Sequence, residues 1–284
     1  MQRKLIEAGM RPISNIVDIT NYVMLELGQP LHAFDLDDIK YNKMTVKMAE
    51  EGEKFTTLDG VERTLTSDML IIGNQDKTLD LAGIMGGENS EIKDTTTSIF
   101  IEGASFAKEN IRATSKKLGL RTEASSRFEK GIDINLAEEA VNRACQLIEE
   151  LGCGTVLNGM LDYYPQKEEV QKVTVNPVRI NKLLGVNVPM DQFINILESL
   201  EFKCNLVSSE VLELEVPTFR LDITEDADIL EEIARIYGYD NIPSASLEGN
   251  ATAGVKTEKQ KFIDNVKSNS IACGLNEILT YSFV

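Results

Sequence analysis

The chain has one histidine, His32, and four cysteines (Cys145, Cys153, Cys204 and Cys273) that form no CxxC pair. One imidazole and scattered thiols exclude the usual zinc-hydrolase spacings. A Ser–His–Asp or Cys–His arrangement would have to run through His32, and no GxSxG elbow accompanies it. A lone histidine is more often structural than catalytic, and spacing does not decide between the two. The dispersed cysteines argue against a disulfide framework and for a reduced, cytoplasmic setting. No apolar run approaches the ~18–20 residues of a membrane span. The opening MQRKLIEAGMRP lacks the apolar core of a secretory signal. No GxGxxG leads from a strand into a helix, so dinucleotide binding is not indicated. Positive charge is scarce too, with 29 Lys and Arg against 46 Asp and Glu, a formal net charge of −17. That balance excludes nucleic-acid binding by whole-molecule attraction, and any RNA contact has to be local.

What remains is ordinary globular material, long enough at 284 residues for two domains or more. Residues 1–164 read as mixed α and β. Asp59-Gly60, between short runs of β-formers, predicts a tight hairpin. Asn74-Gln75-Asp76 predicts a turn before the apolar run 79–85, which Gly86-Gly87 closes. Gly83, Gly86 and Gly87 suit close approach of backbone to backbone or to ligand. Ser105 is placed to cap a helix that stops at Gly119. Asn135 with Glu138 predicts a capping box for a second helix, with a core stripe of Leu136, Ala140, Val141, Ala144, Ile148 and Leu151 and an end at Gly152.

DYYPQKEEVQK reads as a linker. After it, Asn176-Pro177 opens a short helix that Gly185 ends. Pro189 opens another, with Phe193, Leu197 and Leu200 on one side. FKCNLV and VLELEV then predict a hairpin. Helix, turn, helix and hairpin make a winged-helix-like order, but the second helix carries Asp191 and Glu198, with Glu201 following. DNA binding is therefore not expected. Residues 222–238 predict one more helix, with Asp222 and Glu225 as a capping box. Residues 259–273 predict an amphipathic helix, and 277–284 a strand that stops inside an unfinished domain. The expected architecture is α+β: a mixed domain over 1–164, a small winged-helix-like domain over 168–243, and the start of a further module over 251–284. The chain reads as a fragment.

Two charge patterns stand out. Asp228, Glu231 and Glu232 lie at i, i+3 and i+4, so they share a helix face, and Asp222 stands just ahead. They are either oxygen ligands for a hard cation such as Mg²⁺ or a solvated acidic face with Asp222 as cap. Residues 108–130 hold seven basic side chains (Lys108, Arg112, Lys116, Lys117, Arg121, Arg127, Lys130) against Glu109, Glu123 and Glu129. They form a solvated face or a local contact for RNA.

RPISNIVDITNYVMLELGQPLHAFD (11–35), LAGIMGGENSEI, IEGASF and RTEASSRFEKGID (121–133) together resemble the editing domain of phenylalanine–tRNA ligase β chains. NPVRINKLLG and PTFRLDITEDADILEEIARIYGYDNIP resemble the small domain that follows it there. KQKFIDNVKSNSIACGLNEILTYSF looks like the opening of the class II synthetase-like module of the same chains. The resemblance covers essentially the whole sequence, in order. It implies an α₂β₂ enzyme charging tRNA(Phe), with the ATP and phenylalanine site on the α subunit, so this segment alone is not expected to aminoacylate. It also implies hydrolysis of mischarged Tyr-tRNA(Phe). A hydrophobic pocket rejects an added hydroxyl only by roughly 10²-fold, so a second site has to reward that hydroxyl. A carboxylate accepting its hydrogen bond contributes about 1.5–3 kcal/mol. Motif by motif, the resemblance points to Glu102 as the phenol reader and to His32 as orienting the attacking water or the terminal adenosine. Arg11, Thr20, Asn21, Gly86, Gly87, Thr122 and Ala124 complete the pocket. It further implies Mg²⁺ on Asp222, Asp228, Glu231 and Glu232, in a site shared with the α subunit, and a role for 108–130 in guiding the tRNA acceptor end. The alternative is a non-catalytic scaffold for the α subunit and tRNA.

Overall fold

Ser14 caps the first long helix, its hydroxyl accepting from the Val17 amide, and Gly28 closes that helix at φ 84°. The helix, α2 (Asn15–Leu27), follows a short α1 (Gln2–Glu7). The computed structural model describes residues 1–74, 76–244, 249 and 253–282, and divides into two units, Met1–Ile242 and Pro243–Val284. No helix among the described residues is long and apolar enough to cross a membrane.

After α2 come β1 (Leu31–Asp35), β2 (Thr45–Met48), β3 (Lys54–Thr56), β4 (Glu62–Thr64), β5 (Leu70–Gly73), β6 (Thr78–Leu81), β7 (Met85–Gly86) and β8 (Ile99–Gly103). β3 and β4 make the expected hairpin, with Gly60 at φ 74° and the Asp59 carboxylate accepting from the Val61 amide and from Arg63. In the second expected turn Asn74 Oδ1 accepts from the amides of Asp76 and Lys77, while Gln75 lies outside the described residues. The apolar run 79–85 divides between β6 and β7 around Gly83, at φ 67°. β2-β5-β6-β7 form one antiparallel sheet and β1-β8 a second ribbon. β6 lies inside its sheet, and all four of its residues are buried.

α3 (Lys108–Leu118) ends at Gly119 as expected but starts three residues after Ser105. Ala107 holds the cap position and makes no side-chain bond. α4 (Glu123–Phe128) was not foreseen; Thr122 and Ser125 close it with a capping box. α5 (Leu136–Glu150) packs Ala140, Ala144, Leu147 and Ile148 against Ile16, Ile19 and Val23 of α2. Asn135 is in the helical region and makes no cap bond. Leu151 lies past the end of α5 and is 54% exposed, so Leu147 takes its expected place in the core.

A separate core follows. β9 (Lys172–Val175), part of which read as linker, alternates buried Val173 and Val175 with exposed neighbours. Asn176 Oδ1 accepts from the Arg179 amide to start α6 (Pro177–Leu184), and Gly185 ends it at φ 70°. Then come α7 (Met190–Ser199), β10 (Lys203–Ser208), β11 (Val211–Glu215) and α8 (Asp226–Tyr237). The sheet order is β10-β11-β9, all antiparallel. Phe193 and Leu197 of α7, Leu212 and Leu214 of β11, and Ile229 and Ile233 of α8 fill the space between the helices and this sheet. Each such side chain contributes about 1.5–3 kcal/mol of burial. α8 starts at Asp226 rather than 222, because Glu225 and Asp228, not Asp222, form the capping box. The fold class is α+β, as expected.

In the second unit α9 (Glu258–Ala272) forms where a helix is expected, is closed by a Thr257–Gln260 capping box and buries none of its side chains. Residues 277–282 form no strand, and Phe283 and Val284 lie outside the described residues.

Candidate functional site

The ribbon β1-β8 sets His32 directly opposite Glu102, and opposed residues of an antiparallel pair share a face. In the neighbouring sheet β6 and β7 set Asp80 opposite Gly86. Gly86 is the point where the His32 ring meets that sheet. A Cβ added there would lie 2.5 Å from His32 Cε1 and 2.8 Å from Nε2, so only glycine admits the ring. Phe34, on the same face of β1, holds the imidazole edge-on at 4.4 Å between centroids. The pocket between them is partly open to solvent and measures about 60 Å³, and His32, Asp80, Gly86, Glu102, Phe106, Ala124 and Phe128 are among the residues that line it. Phe106 and Phe128 meet edge-to-face at 5.0 Å. Thr122 fixes that wall. Its hydroxyl accepts from the Ser125 amide and donates to the Ile84 carbonyl, tying the start of α4 to the β6–β7 turn.

No lysine or arginine lines this cavity. Oε2 of Glu102 is out of solvent and has no hydrogen-bond partner. Burial first, and the Asp80 charge second, push Glu102 well above the usual carboxylate range. Asp80 is 4% exposed, and burial raises it to about 7 against a small opposing pull from the Leu81 amide. Burial lowers His32 to about 4, so its imidazole is neutral at pH 7. A neutral imidazole donates one hydrogen bond and accepts one. It is a poor proton acceptor at that pH.

Of the residues singled out in the sequence, the fold brings His32, Gly86, Glu102 and Ala124 to the cavity. Thr122 stands behind the wall with its hydroxyl engaged. Gly87 faces away, toward the Phe55 ring, and its amide donates to the Leu79 carbonyl at 2.8 Å. Thr20, buried in α2, donates to the Val17 carbonyl of its own helix. Arg11 is exposed between α1 and α2 and makes no ion pair among the described residues. Neither Arg11, Thr20 nor Asn21 lines the cavity. Asp80, Phe106 and Phe128 were not anticipated. The only trace of Asp80 in the sequence is a lone acid inside TLDLAGIM.

The acidic constellation of Asp222 and α8 is engaged elsewhere. Arg220 bonds Asp222 at 2.7 Å and Glu232 at 2.8 Å, and Arg235 takes the other oxygen of Glu232 at 2.5 Å. Asp228 accepts from the amides of Thr224 and Glu225 at 2.7 and 2.9 Å. Glu231 is exposed. The Arg220 bond holds Asp222 below the usual carboxylate range, and the two amides do the same for Asp228. Burial pushes Glu232 up, but its two arginines outweigh that and leave it lowered. Among the described residues no group of His, Cys, Asp or Glu side chains is arranged to hold a metal ion. A hard cation needs converging free oxygens, so as they stand these four do not fit Mg²⁺. In the basic stretch, Lys117 pairs with Asp68 at 3.0 Å and Arg127 with Glu123 at 2.8 Å. Lys108, Arg112, Lys116 and Lys130 are exposed and make no ion pair among the described residues.

Three known domain families match successive stretches of the chain. The B3/4 domain family matches residues 1–153, the tRNA synthetase B5 domain 173–239, and the phenylalanyl-tRNA synthetase β-chain CLM domain 242–284. This is an aminoacyl-tRNA synthetase type of chain, and it belongs to the bacterial phenylalanine–tRNA ligase β-subunit family. It is similar, at 48% identity over all 284 residues, to the phenylalanine–tRNA ligase β subunit of Clostridium acetobutylicum, and at 49% to that of Clostridium tetani. It spans 36% of the length of each. An N-terminal fragment of the phenylalanyl-tRNA synthetase β-subunit from Pyrococcus horikoshii overlaps 79% of this chain and 65% of its own, at 20% identity and a TM-score of 0.41.

Proposed function

We propose that residues 1–164 hydrolyse tyrosine from mischarged tRNA(Phe), as the editing domain of a cytoplasmic phenylalanine–tRNA ligase. The observation that carries this reading is the Glu102 carboxyl, one oxygen of which is out of solvent and unpartnered, opposite His32 in a pocket lined by phenylalanines and glycine. An orphaned buried acceptor costs about 1–3 kcal/mol, and the hydroxyl of a tyrosine would satisfy it. The ring would stack among Phe106 and Phe128, with Ala124 and Gly86 leaving it room. Neutral His32 would hold a water, or the terminal adenosine, by hydrogen bonding rather than act as a strong base. Water oxygen attacks the ester carbonyl, and the ribose oxygen leaves with a proton, which the neighbouring ribose hydroxyl is placed to relay. Arg11, Thr20 and Asn21, on or beside α2, and the free bases of 108–130 would meet the terminal ribose and acceptor strand. Residues 168–243 and 251–284 would serve as the small winged-helix-like domain and the start of a synthetase-like module. In the full α₂β₂ enzyme, ATP-dependent charging of tRNA(Phe) would fall to the α subunit, where any shared Mg²⁺ would also need rearrangement of Arg220.

A second reading, a scaffold for the α subunit and tRNA, is favoured by the cavity's size. About 60 Å³ is well under the ~150 Å³ of an engineered cavity that accepts benzene, so under the editing reading half-buried Phe106 has to swing aside. Calorimetric titration of this chain with tyrosine and with phenylalanine, repeated on Glu102→Ala, separates the two. Editing requires tyrosine to bind about tenfold or more tighter than phenylalanine, and the substitution to erase the difference. Equal or absent binding of both would leave the scaffold.

A further inference from the structure

Asp80 lines the same cavity and has no part in the account above. It is 4% exposed, in the inner strand β6, and held opposite Gly86, whose backbone carries the His32 ring. Glu102 enters from the other ribbon, opposite His32. Two carboxyls thus share about 60 Å³ with no lysine or arginine on any wall. The groups that face them are His32 from β1, Met85 and Gly86 from β7, Ala124 and Phe128 from α4, and Ala104 and Phe106 after β8. None supplies a positive charge, since His32 is neutral. Two carboxylates lining one small pocket without a cation repel each other, and one proton between them is the usual resolution.

An acid beside a carboxylate has a defined appetite. The acid offers a proton and the carboxylate takes one. A phenolic hydroxyl both donates and accepts. A hydrogen does neither, an aromatic amine mainly donates, and a methyl ether only accepts. We propose that Asp80 is a specificity-determining residue of this pocket: with Glu102 it forms a one-proton acid–carboxylate pair that selects a phenolic hydroxyl by requiring it to donate and accept at once. This rests on the editing reading of the cavity and assigns its selectivity to two residues rather than one. The rise of Asp80 to about 7, with Glu102 also pushed up by burial and by the Asp80 charge, places the change from two acids to the mixed pair near neutral pH.

The test titrates the chain with tyrosine, phenylalanine, 4-aminophenylalanine and 4-methoxyphenylalanine, in the wild type, in Asp80→Asn and in Glu102→Gln. The wild type should prefer tyrosine over all three, and its tyrosine-to-phenylalanine ratio should rise as pH passes upward through about 7. Asp80→Asn, close to isosteric, should lower that ratio about tenfold and flatten its pH profile. If Asp80→Asn keeps the wild-type ratio and profile while Glu102→Gln loses them, the pocket stands and Asp80 is a bystander. If the wild type binds no tyrosine, the editing reading falls and takes this inference with it. Should Asp80→Asn fail to fold, a wild-type ratio that stays flat across neutral pH overturns the proposal by itself.

Discussion

Asp80 and Glu232 are both buried carboxyls, 4% and 8% exposed, and they are driven in opposite directions. Asp80 sits beside another acid with no cation near, and burial raises it to about 7. Glu232 is desolvated as well, yet Arg220 and Arg235 each bond one of its oxygens and hold it below the ordinary range. Burial alone therefore does not decide whether a carboxyl is charged; its partners do. The comparison also separates two uses of acid. Just before α8 and along its first half the protein satisfies Asp222, Asp228 and Glu232 from its own chain, and the cluster fastens that helix. In the cavity Glu102 is left partly unsatisfied, which is destabilising by itself and explicable where a ligand completes it.

The largest expected effect breaks the compensated side. Arg220→Ala strips one oxygen of Glu232 and leaves a buried carboxylate leaning on Arg235 alone. Loss of a buried partner costs about 3–5 kcal/mol, readable by chemical denaturation at pH 7. A loss under about 1 kcal/mol would mean that Arg235 and water suffice, and the contrast with Asp80 would weaken. The next effect is roughly 4 kcal/mol and concerns stability against pH. A folded-state value of about 7 lies above the ordinary aspartate value of 3.8, so the wild type loses stability as pH rises between those limits. Asp80→Asn removes the Asp80 part of that loss and keeps the part that the burial of Glu102 contributes. Its stability relative to wild type should climb from about pH 4 to 8, and a difference independent of pH would show that Asp80 ionises freely in the fold. His32 shifts the other way, but it is common to both proteins and cancels in the difference. Smallest is a null effect. Millimolar Mg²⁺ should leave the melting temperature of this chain unchanged, because ligand stabilisation needs a site in the folded state and three of the four candidate carboxylates already have partners. A concentration-dependent rise would show that the cation displaces Arg220.

Local signals were legible wherever a few neighbouring residues decide the outcome. Asn176-Pro177 with Gly185 bounds α6 as expected, and Asp59-Gly60 turns its hairpin, because caps and tight turns depend on contacts within a handful of residues. Ser105 misled for the same reason inverted: it is a good cap that the chain does not use, as Ala107 starts α3 instead. In the candidate site, His32, Gly86, Glu102 and Ala124 came from motif resemblance, and the fold brings them together. Asp80 was beyond reach. An acid between leucines ordinarily marks the solvent side of a strand, and its burial arises because His32 and Glu102 of the β1–β8 ribbon and the residues around α4 cover that position. Likewise the spacing of Asp228 and Glu232 was read correctly as one face. The guanidinium of Arg220 folding onto Asp222 and Glu232 depends on a backbone path that spacing does not encode.

The contact between Gly86 and His32 has a genetic corollary. Any other residue at position 86 would put a carbon where the imidazole now lies, and glycine and alanine codons differ by one base. A single point mutation could therefore retire this pocket while the separate core around Phe193 and Ile229 continued to assemble. In a population, that makes position 86 a natural place for the site to be switched off, and in the laboratory a place to ask what the rest of the chain does without it.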